Sequence, residues 1–182
     1  MSINIIAAMA KNRVIGFEGK LPWNIPKDLK FFKKMTSVDN SAIVMGRKTW
    51  ESLPIKPLPN RRNFVLTKNN FHSTFPDALV LKEPDDVIGL TKNYNSIWII
   101  GGETIYNQYI NKSYIDRIYL TEIDDVFEGD TYFPEMPSYF HKTIQGKSSI
   151  FKKNALEFSS YNFNMYSNCH YGEDITCEFP IP

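Results

Sequence analysis

The chain has 182 residues, of which 42% are hydrophobic and 23% charged, and its 21 Lys and Arg against 20 Asp and Glu leave a formal net charge of +1. That length and balance fit one soluble globular domain with room for a sizeable core. A charge this close to zero speaks against nucleic acid or a membrane surface as partner, and no apolar run approaches the ~20 residues of a membrane span. The start, Met1 to Met9, lacks the basic leader of a signal peptide, so a cytoplasmic protein is expected. Cys169 and Cys177, close together and late, make neither a disulfide framework nor a zinc site.

Taken in order, Ile3 to Ala8 reads as a buried strand, followed by a loop through Gly16 and Gly19 to Pro22-Trp23. Ile25 to Met35 opens an amphipathic helix with Pro26 in its first turn. Ser41 to Met45 is a short strand running into a helix start at Gly46-Arg47-Lys48-Thr49-Trp50-Glu51-Ser52. Asn63 to Thr67 follows the turn Pro57-Leu58-Pro59-Asn60 as a strand, and Ala78 to Lys82 as another. A helix is expected at Asp85 to Leu90, a buried strand at Ser96 to Ile100, a helix at Thr104 to Tyr109 and a central strand at Ile115 to Ile123. Tyr161, Phe163 and Met165, alternating with Asn162 and Asn164, suggest a half-exposed antiparallel closing strand. From about Asn168 periodicity stops, and Phe179-Pro180-Ile181-Pro182 ends a tail. The alternation predicts an α/β fold. It would be a single domain with a central, mostly parallel twisted sheet, an antiparallel C-terminal strand and helices on both faces. No repeat, low-complexity tract or linker marks a second domain.

Asp28 stands out chemically. At roughly 100° per residue, Phe31, Phe32 and Met35 fall within about 60° of it, while Lys27, Lys30, Lys33 and Lys34 take the other side. The carboxylate thus points with the aromatics, away from the cations that could neutralise it. Buried without a partner it would cost several kcal/mol or take up a proton. A ligand with a cationic or multiple-donor edge is expected to meet it.

Gly101-Gly102-Glu103-Thr104 joins a strand to a helix, where the backbone can approach a phosphate closely. It is not the three-glycine dinucleotide fingerprint, and a turn without ligand fits it equally well. Gly46-Arg47-Lys48-Thr49 is a second such junction, whose paired cations slightly disfavour a helix start and hint at an anion, though two solvated surface charges fit it equally well. Thr67-Lys68 ends another strand at the same sheet edge, where open α/β sheets bind ligands. Three converging junctions point to an elongated phosphorylated cofactor. In Arg61-Arg62 a guanidinium could clamp a carboxylate bidentately, or the pair could be an exposed basic turn. Trp23 fits the core, or offers its indole N–H to an ordered water. His72, His141 and His170 are scattered without metal-ligand spacing, and no nucleophile motif appears. A buried carboxylate, anion-binding junctions and no covalent machinery suit chemistry done by a cofactor.

Several stretches go further. They are Ile5-Ile6-Ala7-Ala8, Arg13-Val14-Ile15-Gly16, Leu21 to Leu29, Val44 to Ser52, Pro57 to Asn63, Ile99-Ile100-Gly101-Gly102 and Gly129-Asp130-Thr131. In order and spacing, over residues 3 to 166, they resemble the signature blocks of the dihydrofolate reductase family, in the bacterial type with aspartate in the helix. The resemblance implies NADPH-dependent reduction of 7,8-dihydrofolate to tetrahydrofolate for one-carbon metabolism and thymidylate synthesis, by a monomer that antifolates would inhibit. It assigns 1–167 to the reductase domain and leaves 168–182 without a role. By the same resemblance, Asp28 holds the pterin's 2-amino group and adjacent ring nitrogen and raises the basicity of N5. Trp23 and Thr121 hold an ordered water and the carboxylate. Ile6, Ala8, Leu29, Phe32, Thr49, Leu53 and Ile100 wall the substrate pocket, Leu58 flanks the benzoyl group, and Arg61 takes the α-carboxylate of the glutamate tail.

For NADPH the resemblance implies a pyrophosphate cradle at Gly101 and Gly102, joined by a cis bond, with Glu103, Thr104, Ile105 and Tyr106 following. Arg47, assisted by Lys48 or Lys68, would meet the 2′-phosphate. Gly46, Thr49, Thr67 and Ile100 complete the cofactor-binding set, and Ala8 and Ile15 lie near the nicotinamide. The loop from Met9 to Asn24 matches the family's mobile lid. Two positions depart from the family pattern: Glu103 stands where glycine or alanine is common, and Leu21 where methionine is. A pyrimidine-pathway reductase would need neither the Asp28 helix nor the Arg61 clamp, and a non-catalytic folate or nucleotide binder would need no Thr121.

Overall fold

Strands and helices alternate as the hydrophobic pattern requires. The computed structural model describes residues 1–38, 40–68, 78–146, 148–152 and 158–168. Cys169, Cys177, His72 and His170 lie outside the described residues, as does the expected tail beyond Asn168. The first strand, β1 (Ser2–Ala10), is followed by the short β2 (Val14–Gly16) and by α1 (Pro26–Thr36). Next come β3 (Ser41–Gly46), α2 (Arg47–Ser52), β4 (Arg62–Leu66), β5 (Leu79–Leu81) and α3 (Asp86–Leu90). Then follow β6 (Ser96–Ile99), α4 (Glu103–Tyr109) and β7 (Arg117–Ile123). The C-terminal third supplies β8 (Thr131–Tyr132), β9 (Phe140–Gln145), β10 (Ser149–Lys152) and β11 (Phe158–Asn168).

Among the described residues the main sheet runs β10-β11-β7-β1-β6-β3-β4-β5, with β9 also pairing β11. From β7 to β5 every pairing is parallel, which requires crossover connections, and α1, α2, α3 and α4 lie in those from β1 to β3, β3 to β4, β5 to β6 and β6 to β7. Two apolar layers sandwich this sheet. One gathers Ile3, Ile5, Val87 of α3 and Ile105, Tyr106 and Tyr109 of α4. The other gathers Ile6, Ala10, Phe31 of α1 and Trp50 of α2. Successive residues of β1 therefore serve opposite cores, the period-two rule for a sheet covered on both faces.

The closing strand corrects the sequence reading. β11 is antiparallel to β7 as expected, but it is not half-exposed: Asn164 is only 1% exposed. Its outer side is covered by β9 and β10, both antiparallel to it. Neither was expected, because Phe140-His141-Lys142-Thr143-Ile144-Gln145 is mostly exposed and carries no apolar alternation. Asn168 belongs to this strand rather than to a tail; it is buried and pairs with Phe140. The small ribbon of β2 and β8 was also missed, being two or three residues long on each side.

Candidate active site

Pro26 opens α1 where its missing N–H would have had no partner. Asp28 sits in that first turn, where the helix dipole favours negative charge. Asp28 and Phe31 are buried, Phe32 and Met35 half-buried, and all four lysines of the helix exposed, as the wheel requires. Asp28 is 8% exposed. Thr121 Oγ1 donates to its Oδ1 at 2.6 Å and is the one described side chain bonded to it. Burial pushes the Asp28 carboxyl up to about 6, while the Thr121 hydroxyl pulls it the other way. Thr121 lies on β7 opposite Ala8 of β1 and Phe163 of β11, and Phe163 stacks on Phe31 with ring centroids 4.4 Å apart. Trp23 is buried edge-on against Phe127 at 5.2 Å. Its Nε1 is buried with no hydrogen-bond partner among the described residues, a donor that suits a polar group the chain does not supply.

Around this point stand the other expected substrate residues. Ile6 and Ile100 are buried in the core layer that holds Trp23, and Ala8, Phe32, Leu53 and Leu58 pack against it half-buried. Thr49 of α2 is half-buried, while Leu29 is 52% exposed beside Asp28. Of the arginine pair, Arg61 is half-buried and Arg62 exposed. Arg61 donates through Nε to the Pro59 carbonyl at 3.0 Å and through a guanidinium nitrogen to the Thr36 hydroxyl. Its Cζ lies 5.9 Å from the centroid of the Phe32 ring.

A cleft of about 800 Å³ runs along the carboxyl ends of the parallel strands. Ala8 and Ile15 line one end of it. The β3–α2 junction contributes Gly46, Arg47, Lys48 and Thr49, and the end of β4 contributes Thr67 and Lys68. From the β6–α4 junction come Ile100, Gly102, Glu103, Thr104, Ile105 and Tyr106. Gly101 sits directly behind, with φ +97 and a cis bond to Gly102. A Cβ there would lie 2.6 Å from the Tyr106 ring, so only glycine fits. The Gly101 carbonyl accepts the Gly46 N–H at 2.8 Å, tying two of the junctions together. Tyr106 is fixed in turn by its hydroxyl donating to the Ile6 carbonyl at 2.9 Å; burial, then the Asp28 charge, hold its phenol far above the usual range. Arg47 pairs with Glu51 one turn on, N to O 2.8 Å, which partly offsets the two cations at the start of α2.

The cleft also contains residues to which sequence reasoning had assigned no binding role: Lys20, Leu21, Lys82, Gln108, Asp130 and Thr131. Two of them belong to the Gly129-Asp130-Thr131 block. Asp130 accepts the Glu18 N–H at 2.9 Å through its carboxylate and donates its own N–H to the Gly16 carbonyl at 3.1 Å. This anchors the glycine-bearing loop. A glycine followed by a short acidic and hydroxyl pair was the available signal, but nothing local said which loop it would hold. Among the described residues no group of three or more His, Cys, Asp or Glu could hold a metal ion, and no helix is long and apolar enough to cross a membrane.

Residues 2–167 match the model of a family described as Dihydrofolate reductase. Over 169 residues the chain is 40% identical to the dihydrofolate reductase of Buchnera aphidicola subsp. Acyrthosiphon pisum (strain APS), spanning 92% of this chain and 99% of that one. Over 164 residues it is 38% identical to that of Bacillus subtilis (strain 168), spanning 90% and 93%. Its fold superposes with a TM-score of 0.80 on dihydrofolate reductase from Enterococcus faecalis complexed with NADP(H) and RAB-propyl. That pair is 34% identical, and the match covers 92% of this chain and 96% of the other.

Proposed function

The chain belongs to the dihydrofolate reductase family, and we propose that Asp28, Thr121 and Trp23 are the catalytic residues with which it reduces 7,8-dihydrofolate to 5,6,7,8-tetrahydrofolate. NADPH, when bound, supplies the hydride that reaches C6 of the pterin. The observation that carries the assignment is the buried Asp28 carboxylate, held by a single described hydroxyl and pushed up to about 6. Such a group calls for a ligand edge with parallel donors, and the pterin 2-amino group with its adjacent ring nitrogen is one. Asp28 then orients the ring, and its charge in a dry pocket makes N5 easier to protonate by water. The Trp23 indole N–H, buried without a described partner, suits the water that this step needs.

Ile6, Ala8, Leu29, Phe32, Thr49, Leu53 and Ile100 enclose the pterin and benzoyl groups in this reading. Leu58 flanks the benzoyl ring and Arg61 receives the α-carboxylate of the glutamate tail. The exposure of Leu29 on the Asp28 side of α1 suits a wall that ligand covers. Antifolates would meet the same carboxylate.

The cleft, about 800 Å³ with glycine junctions and the cations Arg47, Lys48 and Lys68 along it, suits NADPH in size, in backbone access and in charge. The backbone N–H groups of Gly102, Glu103 and Thr104 would hold the pyrophosphate, with Gly46 tied to Gly101 beside them and Ile105 and Tyr106 supporting them from α4. Arg47, Lys48, Thr67 and Lys68 would hold the 2′-phosphate end; Ala8, Ile15, Thr49 and Ile100 would hold the nicotinamide end. The reading also makes the enzyme a cytoplasmic monomer, testable by light scattering and cell fractionation. Its central test follows loss of reduced-nicotinamide absorbance when dihydrofolate is added, with NADPH and NADH compared. Turnover faster with NADPH is expected, and none with either would overturn the reading.

A further inference from the structure

Asn63 is a polar side chain where the core would tolerate an apolar one. It lies on β4 beside Ile43 of β3, is 2% exposed, and shares the sheet face of Val65. Its amide is spent on the turn just before its own strand. Oδ1 accepts the Leu58 N–H at 2.9 Å, and Nδ2 donates to the carbonyls of Leu58 and Arg61, each at 2.9 Å. Three bonds from one buried amide close residues 58–61 into a loop, with Asn60 in the left-handed region at φ 62. That loop carries Leu58 and Arg61. The Arg61 guanidinium is then braced from the other side by the Thr36 hydroxyl, which itself donates to the Phe32 carbonyl at 2.7 Å.

We infer that Asn63 is a positioning residue for the substrate's tail. It holds the 58–61 loop in the one shape that places the Arg61 guanidinium over Phe32, so that a carboxylate is met by a fork already in position. This rests on the reading of Arg61 as the tail clamp. Asn63 touches no part of the substrate, and bonds to Leu58 and Arg61 through their backbones alone. Losing it frees the loop to sample other shapes, and each weakens the bidentate geometry without touching Asp28.

The test compares 7,8-dihydrofolate with 6-methyl-7,8-dihydropterin, which keeps the reacting ring and lacks both benzoyl group and glutamate. For Asn63→Ala we expect KM for dihydrofolate to rise about tenfold, with KM for the short substrate and kcat for both within twofold. Equal losses on both substrates, or no loss on either, overturn the inference. Arg61→Ala and the double variant are measured beside it. If Arg61→Ala separates the two substrates and Asn63→Ala does not, only the role of Asn63 fails. If Arg61→Ala does not separate them, the clamp reading falls and this inference with it. Once the guanidinium is gone, adding Asn63→Ala should raise KM no further than the smaller effect expected through Leu58, and a full tenfold addition counts against the coupling. Should Asn63→Ala fail to fold, Asn63→Ser carries the same comparison, since one short hydroxyl cannot replace all three amide bonds yet leaves a polar group in the buried site.

Discussion

Thr121 Oγ1 and Asp28 Oδ1, 93 positions apart in sequence, are 2.6 Å apart in the fold, and their bond opposes the effect of burial on the carboxyl. A hydrogen bond to a charged acceptor contributes about 1.5–3 kcal/mol, or roughly one to two pH units. Thr121→Val should therefore raise the Asp28 carboxyl clearly above about 6 and cut turnover at pH 7 about two- to tenfold. Carbon NMR of the labelled carboxyl measures the shift directly. An unmoved titration would remove Thr121 from the account.

The same carboxyl makes stability depend on pH. Folded Asp28 takes its proton near 6, against 3.8 in the unfolded chain. Between those values the folded state binds more protons, so the stability Asp28 lends is fully present below 3.8 and lost as pH rises through about 6. Asp28→Asn should thus be more stable than the parent at pH 7, by about 2–3 kcal/mol, and nearly equal to it at pH 3. Denaturant midpoints at the two pH values decide this.

Turnover should move the other way. Asp28→Asn keeps the acceptor for Thr121 but loses the charge, so most activity near neutral pH should go while NADPH affinity stays within about twofold. An equally active Asp28→Asn enzyme would refute the role given to Asp28.

Arg47 faces the cleft while paired with Glu51. If it meets the 2′-phosphate, Arg47→Ala should weaken NADPH about tenfold or more and NADH less than threefold. Equal losses, measured by fluorescence titration of each nucleotide, would place the phosphate elsewhere.

The two neighbouring glycines should behave differently. Gly101→Ala drives a methyl group into the Tyr106 ring at a left-handed φ and should cost about 2–4 kcal/mol. Gly102→Ala meets only the Thr49 hydroxyl at 3.3 Å and should cost clearly less in thermal unfolding, its effect falling on cofactor binding. Similar losses in stability would refute the distinction.

The amphipathic α1 was readable because 3.6-residue periodicity is local: it put Asp28 among aromatics and four lysines in water. The glycine junctions were readable for the same reason, since each lies at the end of an apolar strand. What was not readable depended on distant partners. Arg61 and Arg62 are alike as letters, and only the Thr36 hydroxyl and the Phe32 ring turn one of them inward. Asn63 looked like the start of a strand until its amide was seen closing the preceding loop. β9 is largely polar on its exposed side and β10 turns Ile150 out beside Lys152, so neither shows an apolar alternation, and β11, which they cover, was mistaken for the boundary of the sheet.

The pairing of β7 beside β1 brings Thr121 next to Ala8 and so to Asp28. In a chain emerging from the ribosome an isolated 11-residue α1 is marginal in water, and its carboxylate stays wet until residues near 121 arrive. β11, ending at Asn168, must then pack Phe163 onto Phe31 to seal that side. If Asp28 and Thr121 act together as proposed, catalytic power is born late in synthesis, and no N-terminal fragment that stops short of β7 should hold any of it.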